Sequence, residues 1–243
     1  MRRVLQRVLV GLGFTSLIAA SGLLWYALSE PPAEDLPLPP ALASAFSVEG
    51  QRLLAAATSK VDYEQLAPHV IAQSRRAFCG PATVSAVINA ALAPAPAATQ
   101  TSLFNASTAR IKSELALTFG GLTLEELAGF LRAHGMRVDV FHAGGTDIDA
   151  FREAARSALG EPRAFLVVNY DRQVLGQSGA GHISPLGAFD ATTDRVLVMD
   201  VAKQKYPYAW VPVPLLWAAM NTVDTDSGKR RGYLLAVAAA SPG

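Results

Sequence analysis

From Val8 to Ser29 the chain carries no charged side chain, and that run divides it before anything else is read. A stretch of this composition has no polar face to turn toward water, so it is not a surface helix of a globular body. It is also long enough to cross a hydrocarbon core, which takes roughly 20 apolar residues. Arg2, Arg3 and Arg7 come before it and Trp25-Tyr26 lies near its far end, a distribution that puts the basic end in the cytoplasm and the aromatic pair at the opposite interface. The rival is a cleaved signal peptide. Ala27-Leu28-Ser29 supplies the small residues such a site needs, although the apolar region of a signal usually runs to only about 7 to 15 residues. Residues 1–29 are therefore expected to be a membrane anchor or a signal, with the remainder membrane-anchored outside the cytoplasm or secreted to the periplasm.

Pro31, Pro32, Pro37, Pro39 and Pro40 follow in a short acidic stretch, a composition that favours extended, semi-rigid chain. Residues 30–45 are expected to be a linker and residues 46–243 one catalytic domain. The 243 residues, 51% hydrophobic and 17% charged, suit a single globular core plus the apolar extra segment. Lys and Arg number 21 and Asp and Glu 20. With no basic patch interleaved with aromatics, nothing recommends nucleic acid as a partner. Oligomeric state is open, with a homodimer as the assembly considered.

Apolar spacing marks the elements. Helices are expected from Val48 to Thr58, from Cys79 through Leu92, from the capping box Thr123-Leu124-Glu125-Glu126 through Leu131, and from Asp147 to Leu159. Ala93 to Thr99 reads as a surface connection. Met136 to Phe141 and Ala164 to Tyr170 read as strands, and Gly181 to Phe189 with Arg195 to Asp200 as a hairpin turning through Asp190-Ala191-Thr192-Thr193-Asp194. The fold class expected is α+β, with helices in the N-terminal half and an antiparallel sheet in the C-terminal half.

Cys79 is the sole cysteine, so no internal disulfide forms. Its place ahead of Gly80-Pro81 and the residues Val84, Val87, Ile88 and Leu92 puts it at a helix N-terminus, where the helix dipole favours the thiolate. Gln73, six residues upstream, carries an amide suited to an oxyanion, and Gln, five residues, Cys and then a helix resembles the opening of papain-like thiol enzymes. If the hairpin closes symmetrically about Ala191, His182 lies directly opposite Asp200, and opposed residues have Cβ atoms about 4.5 to 5.5 Å apart. A nucleophile, a base and an orienting carboxylate follow from that register. His69, His134 and His142 lack such neighbours and read as surface or core residues. One Cys and four scattered His do not make a closed zinc or cadmium site.

Ala77-Phe78-Cys79-Gly80-Pro81-Ala82-Thr83, Gly181-His182-Ile183-Ser184-Pro185-Leu186-Gly187 and Asp200-Val201-Ala202-Lys203-Gln204-Lys205-Tyr206-Pro207 resemble the catalytic blocks of phytochelatin synthases. The likeness extends over residues 46–238. It implies a papain-like cysteine protease fold and a dipeptidyl transferase whose thiol attacks glutathione, releases glycine and passes the γ-glutamylcysteinyl group to water or to a second glutathione. It implies Cys79, His182 and Asp200 as the triad and Gln73 at the oxyanion position. Asn169 and Arg231 match residues around the γ-glutamyl part, and Arg172 and Lys205 match basic residues proposed for the acceptor. No tightly bound cofactor is implied; heavy-metal ions such as cadmium enter as thiolate complexes of glutathione. Lys203 and Phe78 stand where plant members usually have Arg and Tyr, and the cysteine-rich region of the plant members does not follow Val237, so metal sensing located there is expected to be absent. A papain-like peptidase for other peptides is the alternative, and a metal-buffering protein is the third class considered.

Overall fold

In the computed structural model the described residues are 19, 21–92 and 97–238. Residues 1–18 and 20, most of the expected anchor, lie outside them, as do residues 93–96 of the expected surface connection. Residues 21–28 are helical. Among the described residues no helix is long and apolar enough to cross a membrane.

The body is built on a seven-stranded antiparallel sheet. In chain order its strands are β1 (Ala43–Ser44), β2 (Met136–His142), β3 (Ala164–Asp171), β4 (Gly181–Asp190), β5 (Arg195–Val198), β6 (Ala209–Pro212) and β7 (Gly232–Ala238). Across the sheet they run β1-β6-β5-β4-β3-β7-β2. Both faces are covered, because side chains alternate along a strand. Phe165 and Val167 of β3 enter one core, and Leu166, Val168 and Tyr170 enter the other.

Helices α1 (Val48–Ala56), α2 (Val61–Leu66), α3 (Cys79–Leu92) and α5 (Leu124–Ala133) pack on the first face, with α4 (Glu114–Gly120) leading into α5. On the second lie α6 (Ile148–Ala158) and α7 (Val213–Met220). Local chemistry sets several ends. Thr123 Oγ1 accepts from the Glu126 N–H at 3.2 Å while Glu126 Oε2 accepts from the Thr123 N–H at 2.8 Å, so the expected capping box opens α5. Gly135, at φ 84°, carries the chain out of α5 into β2. Asp147 caps α6 by accepting from the Ala150 N–H at 2.8 Å.

Two expectations change. The folded body begins before Phe46: Ala43 and Ser44 pair with Trp210 and Ala209, and Leu42, Ala43 and Ala45 are buried. Proline stiffens the stretch before them, but apolar burial takes over at Leu42. The hairpin forms, but it does not close about Ala191. Asp190 pairs with Arg195, Phe189 with Val196 and Ala188 with Leu197, and the register shifts between Leu186 and Ala188. The causes are a turn closed by Asp194 at φ 51° and a bulge at Gly187, where a Cβ would meet Met199 Sδ at 2.6 Å. Asp200 therefore does not face His182 across the ladder, since β5 ends at Val198.

Candidate active site

Cys79 is the first residue of α3, a 14-residue helix buried along most of its length beneath the sheet. Gly80 makes that seat possible, because a Cβ there would lie 2.7 Å from Leu122 Cδ1. Thr83 Oγ1 donates to the Ile183 carbonyl at 3.3 Å, which ties the start of α3 to β4 one residue from His182. The helix thus delivers a half-buried thiol to the imidazole.

Asp200 reaches His182 from beyond the strand. His182 Nε2 and Asp200 Oδ1 are 2.9 Å apart, which leaves Nδ1 as the ring nitrogen for the thiol. Arg172 completes the arrangement. Its Nη2 donates to Asp200 Oδ1 at 2.8 Å and Oδ2 at 2.7 Å, and its Nη1 donates to Gln177 Oε1 at 2.8 Å. The Ala202 N–H adds a further bond to Asp200 Oδ1 at 2.8 Å. Tyr170, opposite His182 in the β3–β4 ladder, stands edge-on to the imidazole with ring centroids 5.7 Å apart.

The electrostatics follow from these contacts. Burial works against the Cys79 thiolate, but the hydrogen bond and charge of His182, the Ile183 main-chain amide and Arg172 outweigh it, and the thiol titrates below its ordinary value. Burial and Arg172 oppose protonation of His182; the charge and hydrogen bond of Asp200 and the bond to Cys79 prevail, and its pKa rises. Asp200 is held well below the usual carboxylate range, against its burial, by His182 and Arg172. Both shifts favour the thiolate and imidazolium forms of the pair.

The remaining site residues divide between two clefts that meet at His182. One, of about 290 Å³, is lined by Cys79, Asn169, Asp224 and Arg231 among others. There Arg231 Nη1 donates to Asn169 Oδ1 at 2.9 Å and lies 3.6 Å from Asp224 Oδ1, while Arg231 Nε is buried without a partner among the described residues. The other, of about 370 Å³, is lined by Gln73, Arg172 and Lys205 together with Tyr26, Pro31, Pro32 and Glu34.

Two of the residues named from sequence are already engaged. Gln73 donates its side-chain amide to the Arg75 and Arg76 carbonyls at 3.0 and 2.8 Å, so here it braces the loop before Cys79. Arg172, 3% exposed, spends its guanidinium on Asp200 and Gln177. Asp224 and Tyr170 escaped sequence reading. Tyr170 was within reach of it, two residues before Arg172 on a strand of alternating faces; Asp224 had no local signal at all.

With this geometry in view, the comparisons are specific. A sequence profile described as phytochelatin synthase matches residues 33–233. The chain belongs to the phytochelatin synthase family. It is 34% identical over 225 residues to glutathione gamma-glutamylcysteinyltransferase 3 of Lotus japonicus, covering 90% of this chain and 45% of that one. Against glutathione gamma-glutamylcysteinyltransferase 1 of Triticum aestivum the figures are 37% over 212 residues, 82% and 41%. Against the glutathione gamma-glutamylcysteinyltransferase of Schizosaccharomyces pombe they are 30% over 179 residues, 72% and 43%. The chain thus spans less than half the length of these curated relatives. The family match begins at residue 33, ahead of the expected domain start, and so takes in Glu34 of the second cleft but not Tyr26, Pro31 or Pro32.

Proposed function

We propose that this chain cleaves glycine from glutathione through a γ-glutamylcysteinyl thioester on Cys79, on a papain-like arrangement of helix-borne thiol and sheet-borne base. The observation that carries the reading is the continuous chain of contacts from Cys79 through His182 to Asp200 and Arg172, opening on a cleft whose charges suit a γ-glutamyl head group. That head group bears an α-carboxylate and an α-ammonium. Arg231 offers its guanidinium to the first and Asp224 its carboxylate to the second, with Asn169 holding Arg231 in place.

The thiolate attacks the cysteinyl carbonyl of glutathione and forms a C–S bond. Main-chain N–H groups at the start of α3 face the developing oxyanion. The imidazolium of His182 gives its proton to the departing glycine nitrogen as the C–N bond breaks. In the second half, His182 takes a proton from water, or from the amine of a second glutathione, and returns it to sulfur as the thioester opens. Asp200 keeps the ring oriented throughout, and Arg172 keeps Asp200 ionised and fixed. Metal ions enter this scheme with the substrate, as thiolates of glutathione. Among the described residues no group of three or more His, Cys, Asp or Glu is placed to hold a metal.

We also propose membrane association outside the cytoplasm through residues 8–29. The support is the charge-free run behind Arg2, Arg3 and Arg7, together with Leu23, Leu24 and Trp25, whose apolar side chains are exposed on the helical residues 21–28. Fractionation of cells making the full chain checks this, and full-length protein in the soluble cytosolic fraction would overturn it.

The test of the chemistry is direct. Incubation with glutathione should give free glycine and γ-glutamylcysteine, and intact-protein mass spectrometry should trap an acyl-enzyme heavier by one γ-glutamylcysteinyl group. Turnover of unrelated peptides with no glycine released from glutathione would instead make the chain a general peptidase.

A further inference from the structure

The N-terminal segment is fastened across the second cleft at two points. At one end the Glu34 and Asp35 N–H groups donate to the Gln204 carbonyl at 2.7 and 3.3 Å, and the Leu36 N–H to the Lys205 carbonyl at 3.0 Å. At the other, the Arg76 guanidinium lies 3.7 Å over the Tyr26 ring and donates to the Tyr26 carbonyl at 2.8 Å and to Ser29 Oγ at 3.1 Å. Between these ties, Tyr26, Pro31, Pro32 and Glu34 form one wall of a groove that runs to His182. Glu34 Oε1 stands 3.4 Å from Lys205 Nζ. Gln204 lines the same groove, and its Oε1 is buried with no hydrogen-bond partner among the described residues.

We infer that residues 26–36 are a built-in competitor for the second substrate, with the Glu34 carboxylate standing where a carboxylate of an acceptor peptide would meet Lys205. This rests on the acyl-transfer reading above. Once the thioester exists, two reactions can open it. Water can form a C–O bond at the acyl carbon, releasing γ-glutamylcysteine as the C–S bond breaks and a proton passes through His182 to sulfur. Alternatively the amine of a second glutathione forms a C–N bond there, with the same proton route and a longer peptide as product. Only the second reaction needs the groove, since an amine must be positioned within bonding distance of the acyl carbon. A strap that walls the groove and neutralises its lysine therefore directs the intermediate to water.

An ion pair as exposed as Glu34 with Lys205, whose side chains are 22% and 36% accessible in the order Lys205 and Glu34, holds little by itself. The main-chain bonds fix the strap in place, and Glu34 sets what it competes with. Glu34 is thus a specificity-determining residue for the partition between hydrolysis and transfer.

The experiment compares full-length wild type, Glu34→Gln and Glu34→Asp with glutathione at one fixed concentration, reading glycine, γ-glutamylcysteine and the transfer product by mass spectrometry. Glu34→Gln should raise the ratio of transfer product to γ-glutamylcysteine by roughly three- to tenfold, with total glycine release held within about twofold, because only acceptor binding is relieved. Glu34→Asp should keep the wild-type ratio. An unchanged ratio in Glu34→Gln overturns the inference while leaving glycine release, and the acyl-transfer reading, intact. A second readout does not depend on turnover: in Cys79→Ala, S-methylglutathione should speed amide hydrogen exchange at Glu34 and Leu36. Exchange that is unaltered at saturating ligand overturns the strap. If the wild type frees no glycine, the acyl-transfer reading fails, and the exchange result alone decides whether the groove is occluded.

Discussion

Asp62 and Asp200 are both buried, and their surroundings push them in opposite directions. Asp200 accepts hydrogen bonds from Arg172 and the Ala202 N–H and is paired with His182, and it is kept an anion. Asp62, in the first turn of α2 and fully buried, has no side-chain donor on either carboxylate oxygen among the described residues. Burial pushes its pKa up to about 9, with the Leu166 main-chain amide exerting only a partial pull the other way. Depth alone makes a carboxyl neutral; partners make it a permanent charge. The first arrangement orients a base, and the second has no part in the chemistry proposed for Cys79.

The largest effect should come from removing what the Asp200 cluster serves. Cys79→Ala is expected to abolish glycine release, a loss on the order of 10⁶-fold for a nucleophile that acts as one unit with its base, with the melting temperature close to wild type. Retained glycine release would break the link between the cluster and the reaction.

Asp200→Asn comes next and should do two things at once. Glycine release should drop by roughly 10²- to 10⁴-fold as His182 loses its orienting partner. Stability should fall by about 3 to 5 kcal/mol, because Arg172 is left buried and unpaired. Denaturant titration reads the second, and a fully stable Asp200→Asn chain would show that Arg172 finds other compensation.

The double variant Asp200→Asn with Arg172→Met sharpens the point. With both charges gone, about 1 to 4 kcal/mol of the lost stability should return while activity stays low. If the double variant is less stable than Asp200→Asn, the guanidinium is contributing through packing on Tyr206, whose ring it faces at 5.3 Å.

The smallest effect is a slope. Between its unfolded value near 3.8 and its folded value of about 9, Asp62 is ionised in the unfolded chain and protonated in the folded one. Folding there takes up a proton, so stability falls as pH rises, by at most about 1.4 kcal/mol per pH unit. Asp200 has the opposite sign: its folded pKa is depressed, so the stability it confers is present above the unfolded value near 3.8 and is lost as pH falls through its lower folded value. Asp62→Asn should therefore flatten the decline in unfolding free energy between pH 5 and 8 and leave the acid limb unchanged. A slope identical to wild type would mean that Asp62 is already ionised in the fold.

Local rules made much of this molecule legible. Gly80-Pro81 and the apolar positions after them were enough to put Cys79 at a helix start. The Thr123 box and Gly135 fixed both ends of α5, and the continuous apolar run of β3 marked a buried strand. These depend on φ and ψ preferences and on neighbours within a turn, which the chain carries wherever it goes. Register did not come out the same way. A four-residue turn between Asp190 and Arg195 and the bulge at Gly187 displaced Asp200 from the place symmetry gave it, and it meets His182 only because the chain folds back after Val198. The sequence by itself determined the setting of Cys79 at a helix start, the hairpin and the family blocks. Tertiary structure alone decided that Arg172 belongs to Asp200, that Asp224 pairs with Arg231, that Asp62 is buried without a side-chain donor among the described residues, and that Tyr26, Pro31, Pro32 and Glu34 wall the groove beside Lys205. Each is a meeting of groups far apart in sequence, set by which faces of the sheet and helices come together, and no local propensity encodes that choice.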